Sequence, residues 1–233
     1  MKKPTLFLLL LCVLLFVLCA CKKSSPAEEK HTPSIQWRAD TTHKYLNDDA
    51  VRQIIAVQAT EGSNAVVKLF EKTFENGKTI WTQTLTCPAF IGQNGLGKTK
   101  EGDMKTPIGD FGIRTAFGNK PNPGTALPYI EADENLYACA DANFYNQLID
   151  IREHPHDCSE GEHIIEYTPE YNYAFFLDYN KENTVGLGNS IFFHCTGANT
   201  YTGGCIAVSE EDMLTILSVI DQNARVIIDY MPR

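Results

Sequence analysis

The stretch FFHCTGANTYTGGCIAV, residues 192 to 208, carries one histidine and two cysteines between two short apolar runs. The runs, within residues 190–194 and 206–208, are rich in aromatic and β-branched residues and predict buried strands. Two glycines directly precede Cys205, so we expect a tight turn in which backbone amides point at one place. By itself, the stretch fits a catalytic thiol with its base, a disulfide, or half of a metal site.

Directly after this turn, residues 209–223 predict the principal helix of the chain. Ser209 is a suitable N-cap, and three acidic residues follow it in the first turn, where they favour the positive end of the helix dipole. Apolar residues recur on one face of this helix, which we expect to pack on the core: Met213, Ile216, Leu217 and Ile220. Residues 224–230 then predict a closing strand.

The preceding chain favours β structure. Residues 51–59 and 65–73 are short and rich in β-branched residues, and the dipeptide at residues 76–77, Asn-Gly, predicts a hairpin turn. Residues 173–179 predict a further buried strand, whereas residues 140–150 fit either a short helix or a loop. We therefore predict a mostly β fold, a sandwich-like or partly closed mixed sheet, with the one principal helix packed against it.

A glycine-rich passage contains GQNGLGKT, residues 92–99, which matches the pattern of a phosphate-binding loop. Such a loop needs a helix that begins at its lysine, and the glycines and proline between residues 102 and 109 prevent one. We therefore predict a glycine-rich loop between strands, with Lys98 and Glu101 exposed.

The N-terminus has the pattern of an export signal. Two lysines precede an uncharged apolar run, residues 5–20, and small residues before Cys21 resemble a bacterial lipoprotein box. We expect residues 1–20 to be a cleaved signal peptide, Cys21 to be lipid-modified, residues 21–49 to be a flexible tether, and residues 50–233 to form one domain. The alternative is an uncleaved transmembrane helix, although the run is shorter than the roughly 20 residues that a span needs.

The charge of the exported part argues against a nucleic-acid partner. The whole chain has a formal charge of −9, and cleavage removes two of its 20 basic residues and none of its 29 acidic ones, which leaves −11. The chain also has no polybasic run, so membrane attachment would depend on the lipid at Cys21. We expect the domain to lie on the extracytoplasmic side of the cell envelope.

His194 and Cys205 are the candidate pair for chemistry. An imidazole beside a thiol can accept its proton and so generate the thiolate, which is the nucleophile in acyl transfer. The ten-residue loop between them is long enough to bring them together, but the spacing does not establish the contact. A structural role for a histidine at a strand end stays open at this point.

The order of several motifs resembles the L,D-transpeptidase catalytic domain (YkuD) family. These motifs are IFFH at residues 191–194, TGGCIA at 202–207, and GKTKEGDMKTPIGDF at 97–111, which includes a Thr-Pro-x-Gly-x-Phe strand at 106–111. The pair at residues 145–146 and the run YNYAFFLDYN, residues 171–180, are similar to one branch of the family. The resemblance covers about residues 50 to 231.

The resemblance implies roles for the residues of the turn. Cys205 matches the nucleophile, His194 the general base and Thr202 the hydroxyl position, while the amides at Gly203, Gly204 and Cys205 match the oxyanion hole. It leaves two readings of Tyr145 and Asn146, which would either line the substrate groove or hold a loop by hydrogen bonds.

Two residues depart from the pattern of many family members. Gly203 stands where they have a second histidine, and Ala207 stands where they have an arginine. Both departures concern how the carboxylate of the substrate is held, and neither removes the candidate nucleophile or base.

The reaction that the resemblance implies is a two-step acyl transfer on peptidoglycan stem peptides. The Cys205 thiolate would attack the carbonyl of the third residue of a tetrapeptide stem and release D-alanine, and an amine of a neighbouring stem would then form a 3→3 cross-link. Attack by water would make the protein an L,D-carboxypeptidase instead. Neither reaction needs a metal or an organic cofactor. A catalytically silent envelope lipoprotein that binds wall material or metal is the third alternative.

The other cysteines and histidines leave further alternatives open. Besides Cys21 and Cys205, the exported part contains four cysteines whose disulfide pairing counting does not settle: Cys87, Cys139, Cys158 and Cys195. A Cys195–Cys205 disulfide would block the candidate nucleophile. Residues 154–163, HPHDCSEGEH, favour a solvated loop, with zinc binding as the alternative.

Overall fold

The computed structural model describes residues 43–230. The strands are β1 (Gln53–Ala59), β2 (Asn64–Glu75), β3 (Lys78–Phe90), β4 (Gly109–Phe111), β5 (Ile113–Gly118), β6 (Tyr129–Glu131), β7 (Leu136–Cys139), β8 (Gln147–Asp150), β9 (Glu162–His163), β10 (Ala174–Leu177), β11 (Phe192–Cys195), β12 (Ile206–Val208) and β13 (Arg225–Tyr230). The principal helix, α1, spans Glu210–Val219, and a short 3₁₀-helix spans Ile164–Glu166. The predicted signal peptide, Cys21 and most of the predicted tether lie outside the described residues.

Ten of these strands form one mixed sheet in the order β4-β13-β1-β2-β3-β12-β11-β10-β5-β6, and the other three form a small sheet in the order β8-β7-β9. In the large sheet β11 lies between β10, which is antiparallel to it, and β12, which is parallel. The parallel register pairs Phe193 with Ile206, so Cys205, which directly precedes β12, lies beside Phe192 at the start of β11.

The large sheet curves around one main hydrophobic core. Buried residues of β1 and β13, near one end of the strand order, share one cluster with buried residues of β5 and β10, near the other end. The buried face of α1, with Met213, Ile216 and Leu217, belongs to the same cluster. The predicted fold class, a sandwich-like or partly closed mixed sheet with one principal helix, is confirmed.

Helix α1 begins as predicted and ends earlier. The Ser209 hydroxyl accepts a hydrogen bond from the Asp212 amide at 3.1 Å, as an N-cap does. The predicted end at residue 223 is wrong, because Ile220 is already extended and the Asp221 carboxylate accepts a hydrogen bond from the Asn223 amide at 2.8 Å. This local turn competes with the helix, and Ile220 reaches the core from outside it.

Several local predictions hold. Asn76 and Gly77 both have positive φ angles, 51° and 76°, as the turn between two hairpin strands requires. Residues 91–108 contain no helix, which confirms the glycine-rich loop. Among the residues the structure describes, no helix is both long and apolar enough to span a bilayer.

One boundary and two local assignments need correction. Tyr45, which we placed in the tether, is buried, and its hydroxyl donates to Asp110 at 2.6 Å, so the folded domain begins before residue 50. Residues 140–150 form turns followed by strand β8 rather than a helix or a loop throughout. The prediction that Lys98 is exposed is wrong, since its side chain is only 3% exposed and forms an ion pair with Asp103 at 2.9 Å.

Candidate active site

A cavity of about 470 Å³ lies where β11 and β12 meet. His194 and Cys205 both line it, together with the other three residues of the turn: Thr202, Gly203 and Gly204. The fold therefore brings the candidate base and the candidate nucleophile to the lining of one cavity.

His194 reaches this cavity because of the alternation along β11. Phe193 and Cys195 belong to the main core, whereas Phe192 packs in a second cluster on the other face of the strand, the face that His194 shares. His194 is buried, and the aromatic ring of Tyr171 lies edge-on to the imidazole with 5.5 Å between ring centres. The pleat thus separates His194 from Cys195 although they are neighbours in sequence.

The tautomer of His194 follows from one hydrogen bond. Its Nδ1 lies 2.7 Å from the Cys195 carbonyl oxygen. A carbonyl only accepts, so Nδ1 carries the proton and Nε2 keeps its lone pair. Burial lowers the pKa of His194 below its usual value near 6.5. At neutral pH the side chain is a neutral imidazole that can accept a proton on Nε2.

Cys205 is held as a neutral thiol. Its Sγ lies 3.2 Å from the Ser190 carbonyl oxygen, to which the thiol donates, and 3.3 Å from the Phe192 amide, which donates to the sulfur. Burial raises the pKa of Cys205 to about 12, and the nearby Glu162 carboxylate acts in the same direction. The resting site therefore contains a thiol and a neutral imidazole rather than a preformed ion pair.

Hydroxyl groups hold the turn in place. The Thr202 hydroxyl donates to the Cys205 carbonyl oxygen at 2.7 Å and accepts from the Gly204 amide at 3.1 Å. The Thr106 hydroxyl also donates to the Cys205 carbonyl, at 3.2 Å, and accepts from the Gly92 amide at 2.8 Å. The carbonyl of the candidate nucleophile is thus fixed from two sides, which orients Cys205 towards the cavity.

The two glycines of the turn differ in the space that a side chain would have at each position. Gly204 has φ of 148°, and a Cβ there would lie 2.9 Å from the Lys105 carbonyl oxygen. A Cβ on Gly203 would meet nothing within 4 Å. Within residues 43–230, no group accepts a hydrogen bond from the amides of Gly203 and Cys205, whereas the Gly204 amide is used by Thr202. The free amides are the better candidates for oxyanion donors.

Cys195 does not approach Cys205 in this fold. Its thiol is fully buried and donates to the Tyr173 carbonyl oxygen at 3.4 Å, on the main-core side of β11. All five cysteines of the described residues are free thiols, and Cys205 is the one that is not fully buried. The geometry does not favour the disulfide that would block Cys205.

Tyr145 and Asn146, which were predicted either to line the substrate groove or to hold a loop, are absent from the lining of this cavity. Asn146 is fully buried and absent from the cavity lining; its side-chain amide donates to the carbonyls of Tyr179 and Asn180, and its oxygen accepts from the Ser190 amide. Tyr145 is also buried, and its hydroxyl donates to Glu101. Of the two alternatives, loop fixation describes Asn146, and Tyr145 lines a neighbouring cavity of about 420 Å³.

Three lining residues were not identified from the sequence. Glu162 on β9 accepts from the Tyr171 hydroxyl at 2.6 Å, and burial raises the pKa of this carboxyl group. Lys98 lies beside the turn, since a Cβ on Gly204 would be 3.5 Å from its Nζ. The run YNYAFFLDYN contains Tyr171, but nothing in the sequence connects Glu162, which follows a loop, to this site.

The rate at which Cys205 is alkylated should depend on pH, because Cys205 and His194 are both neutral in the resting site. Iodoacetamide should alkylate Cys205 slowly at neutral pH, and the rate should rise continuously as the pH is made alkaline, because only the thiolate reacts. Cys205→Ala is the matched control, since the other described cysteines are buried. A rate already at its plateau at neutral pH would mean a preformed thiolate and would contradict this description.

Comparison with known proteins identifies the domain. Residues 63–228 match the sequence profile of the YkuD L,D-transpeptidase catalytic domain. No curated protein matches the chain. The similar solved structures include Bd1075 from Bdellovibrio bacteriovorus, with 15% identity, a TM-score of 0.42, and coverage of 78% of this chain and 49% of that one.

Two other solved structures are also similar to this chain. The helical cell shape determining protein Pgp2 from Campylobacter jejuni has 16% identity, a TM-score of 0.42, and coverage of 83% of this chain and 56% of that one. L,D-transpeptidase 1 from Mycobacterium tuberculosis has 14% identity, a TM-score of 0.32, and coverage of 76% and 61%. The chain thus spans 49% to 61% of the lengths of these three proteins. Because the profile match extends from β2 into β13 and includes both His194 and Cys205, the chain belongs to the YkuD L,D-transpeptidase catalytic domain family.

Proposed function

We propose that the protein is a peptidoglycan L,D-transpeptidase that acts through a thioester on Cys205, with His194 as the general base. The observation that carries the proposal is the shared cavity, in which a neutral imidazole with Nε2 available and a protonated thiol lie beside two unpaired amides. These are the base, nucleophile and oxyanion donors that acyl transfer requires.

In the first step His194 Nε2 takes the thiol proton as Cys205 Sγ attacks the carbonyl of the third stem residue. The tetrahedral oxyanion is stabilised by the amides of Gly203 and Cys205. Collapse of this intermediate breaks the amide bond to D-alanine, whose amine leaves with the proton held by His194. The neutral starting pair is suited to this role, because His194 first accepts the proton that it later donates.

In the second step the amine of a neighbouring stem attacks the thioester carbonyl. His194 accepts the proton of that amine, the new amide bond forms, and the Cys205 thiol is restored. The lining contains three acidic residues (Glu101, Glu162 and Glu170) and one basic residue, Lys98, which is paired with Asp103. This negative balance supports an amine-bearing acceptor.

Hydrolysis of the same thioester is the second candidate function, an L,D-carboxypeptidase activity. It is favoured by Gly203, because the space in front of this residue is open and can admit water to the thioester. Filling the space with Gly203→Ala should then shift the products towards cross-linked dimers. The two functions share Cys205 and His194 and differ only in the acceptor.

The test is incubation of the full chain with a disaccharide tetrapeptide that ends in D-alanine, followed by mass spectrometry of the products. Transpeptidation predicts free D-alanine and 3→3 dimers, and hydrolysis predicts D-alanine and tripeptide monomers. The absence of all these products from correctly folded wild-type protein would refute both forms of the proposal.

We also propose that the protein is exported and anchored by a lipid on Cys21, as its N-terminal sequence predicts. Wild-type protein should sediment with the membranes of the expressing bacterium and incorporate labelled fatty acid, whereas Cys21→Ala should incorporate none. Equal incorporation by the two proteins would contradict the assignment of Cys21 as the lipidated residue.

A further inference from the structure

The small sheet carries a cluster of two thiols and an imidazole that the proposed reaction does not use. Cys139 is the last residue of β7, and His156 and Cys158 lie on the loop between β8 and β9. One ligand atom from each of these three residues lies within 4.8 Å of the other two. We propose that Cys139, His156 and Cys158 bind a divalent cation that prefers thiolate and imidazole ligands, with Zn²⁺ as the best match.

The ligand atoms of Cys139, His156 and Cys158 are close enough to bind a metal ion with only small movements of the side chains. Zn–S bonds of about 2.3 Å in tetrahedral geometry put the two sulfurs about 3.8 Å apart. The three ligand atoms all lie within 4.8 Å of one another, which is close enough for a bound ion to draw them together. Thiolate and imidazole ligands also select Zn²⁺ over Mg²⁺ and Ca²⁺, which prefer oxygen.

Asp141 holds the imidazole of His156 in position. Its Oδ2 lies 2.8 Å from His156 Nε2, and its Oδ1 accepts a hydrogen bond from the Glu160 amide at 3.1 Å. A carboxylate that accepts from one ring nitrogen of a metal-binding histidine orients the ring and leaves the other nitrogen for the metal. Here that other nitrogen is Nδ1. The three residues supply three ligands, and water can fill the fourth position.

A disulfide between Cys139 and Cys158 is the competing interpretation. Both thiols are buried, at 0% and 2% exposure, and pack with Ile149 in a small apolar cluster. A disulfide would use the two sulfurs alone and would give no role to the imidazole beside them or to the carboxylate that orients it. The three-residue arrangement therefore favours a metal.

The position of the cluster indicates what the metal would do. It joins the end of β7 to the loop that leads into β9, and β9 carries Glu162, which contacts Tyr171 beside His194. A cation bound there would fasten this loop to the small sheet and so support the wall of the cavity. This role is structural and is independent of the proposed acyl transfer.

Cobalt binding gives the most direct test. Reduced, metal-free full-length protein should bind Co²⁺ with a thiolate-to-cobalt charge-transfer band, which Cys158→Ser and His156→Ala should lose. His154→Ala is the matched control, because His154 lies on the same loop outside the cluster and should leave the band unchanged. Asp141→Asn should weaken Co²⁺ affinity roughly 10- to 100-fold.

Two results would overturn the proposal. One is the absence of the band from reduced wild-type protein, which needs no variant to fold. The other is wild-type protein that is isolated without metal and carries a peptide cross-linked through Cys139 and Cys158, the signature of a disulfide. Zinc found in equal amounts in wild type and in folded His156→Ala would count against the assigned ligand set.

Discussion

Replacing Cys205 with alanine is expected to lower the rate of D-alanine release from a tetrapeptide stem by roughly 10⁴-fold or more, because no other group in the cavity can form the thioester. His194→Ala should cause a loss of similar order, since the thiol, with its pKa near 12, then has no base to take its proton. The two losses should not add, because the residues act as one unit.

Cys195→Ala is the matched control for this prediction. Cys195 is the cysteine closest in sequence to His194, but its side chain faces the main core on the opposite side of β11. Its removal should cost some stability and leave most of the activity. A loss as large as that of Cys205→Ala, in protein that is still folded, would show that the assignment of the nucleophile is wrong.

Gly204→Ala is expected to have the second large effect. The residue has φ of 148°, and a methyl group there would lie 2.9 Å from the Lys105 carbonyl, so the turn must shift or bear strain. Strain of this kind costs of order 1–3 kcal/mol. Since the same turn orients Cys205, we also expect D-alanine release to fall, by on the order of 100-fold for a displacement of about 1 Å.

The neighbouring glycine supplies the comparison. Gly203→Ala adds the same methyl group to open space, so the free energy of unfolding, measured in denaturant, should change by no more than about 0.5 kcal/mol. Equal destabilisation by the two variants would mean that the turn does not have the conformation described here.

The main features of the fold followed from patterns with a local physical cause. The aromatic and β-branched composition predicted β1, β2, β10, β11, β12 and β13, and the capping hydroxyl of Ser209 marked the start of α1. The Asn76-Gly77 turn was predictable because few other dipeptides accept positive φ at both positions. The end of α1 was missed because Ile220 continues the apolar pattern outside the helix.

The site was predictable in part for a similar reason. His194 and Cys205 lie within one short stretch, and the family resemblance assigned them roles. The contact of Glu162 with Tyr171 and the cluster of Cys139, His156 and Cys158 depend instead on segments that are not adjacent in sequence. Cys139 comes from a strand that the sequence did not predict, and residues 154–163, which contain His156 and Cys158, were predicted to be a solvated loop with zinc binding as the alternative. The burial of Lys98 could not be predicted from the sequence either, because the ion pair with Asp103 that permits it forms only in the folded chain.

The ion pair between Lys98 and Asp103 places a basic side chain in the cavity, where the family pattern has an arginine after the cysteine. With Ala207 in place of an arginine, Lys98 is the basic residue that lines the described cavity. Hydrogen bonds from the Thr99 amide and from Lys98 outweigh the effect of burial and lower the pKa of Asp103 to about 2. The Asp103 carboxylate therefore stays ionised across the pH range in which the protein would act, and it holds the Lys98 side chain near the turn at 2.9 Å.

The central claim is that an acyl group passes through Cys205, and the most direct test is to isolate that intermediate. Full-length protein mixed with a tetrapeptide donor should be quenched in acid and digested, and the peptides should be analysed by mass spectrometry. We expect the peptide that contains Cys205 to gain a mass equal to that of the donor less D-alanine, and we expect no such gain in Cys205→Ala. An adduct on another residue, or the same adduct on Cys205→Ala, would contradict it.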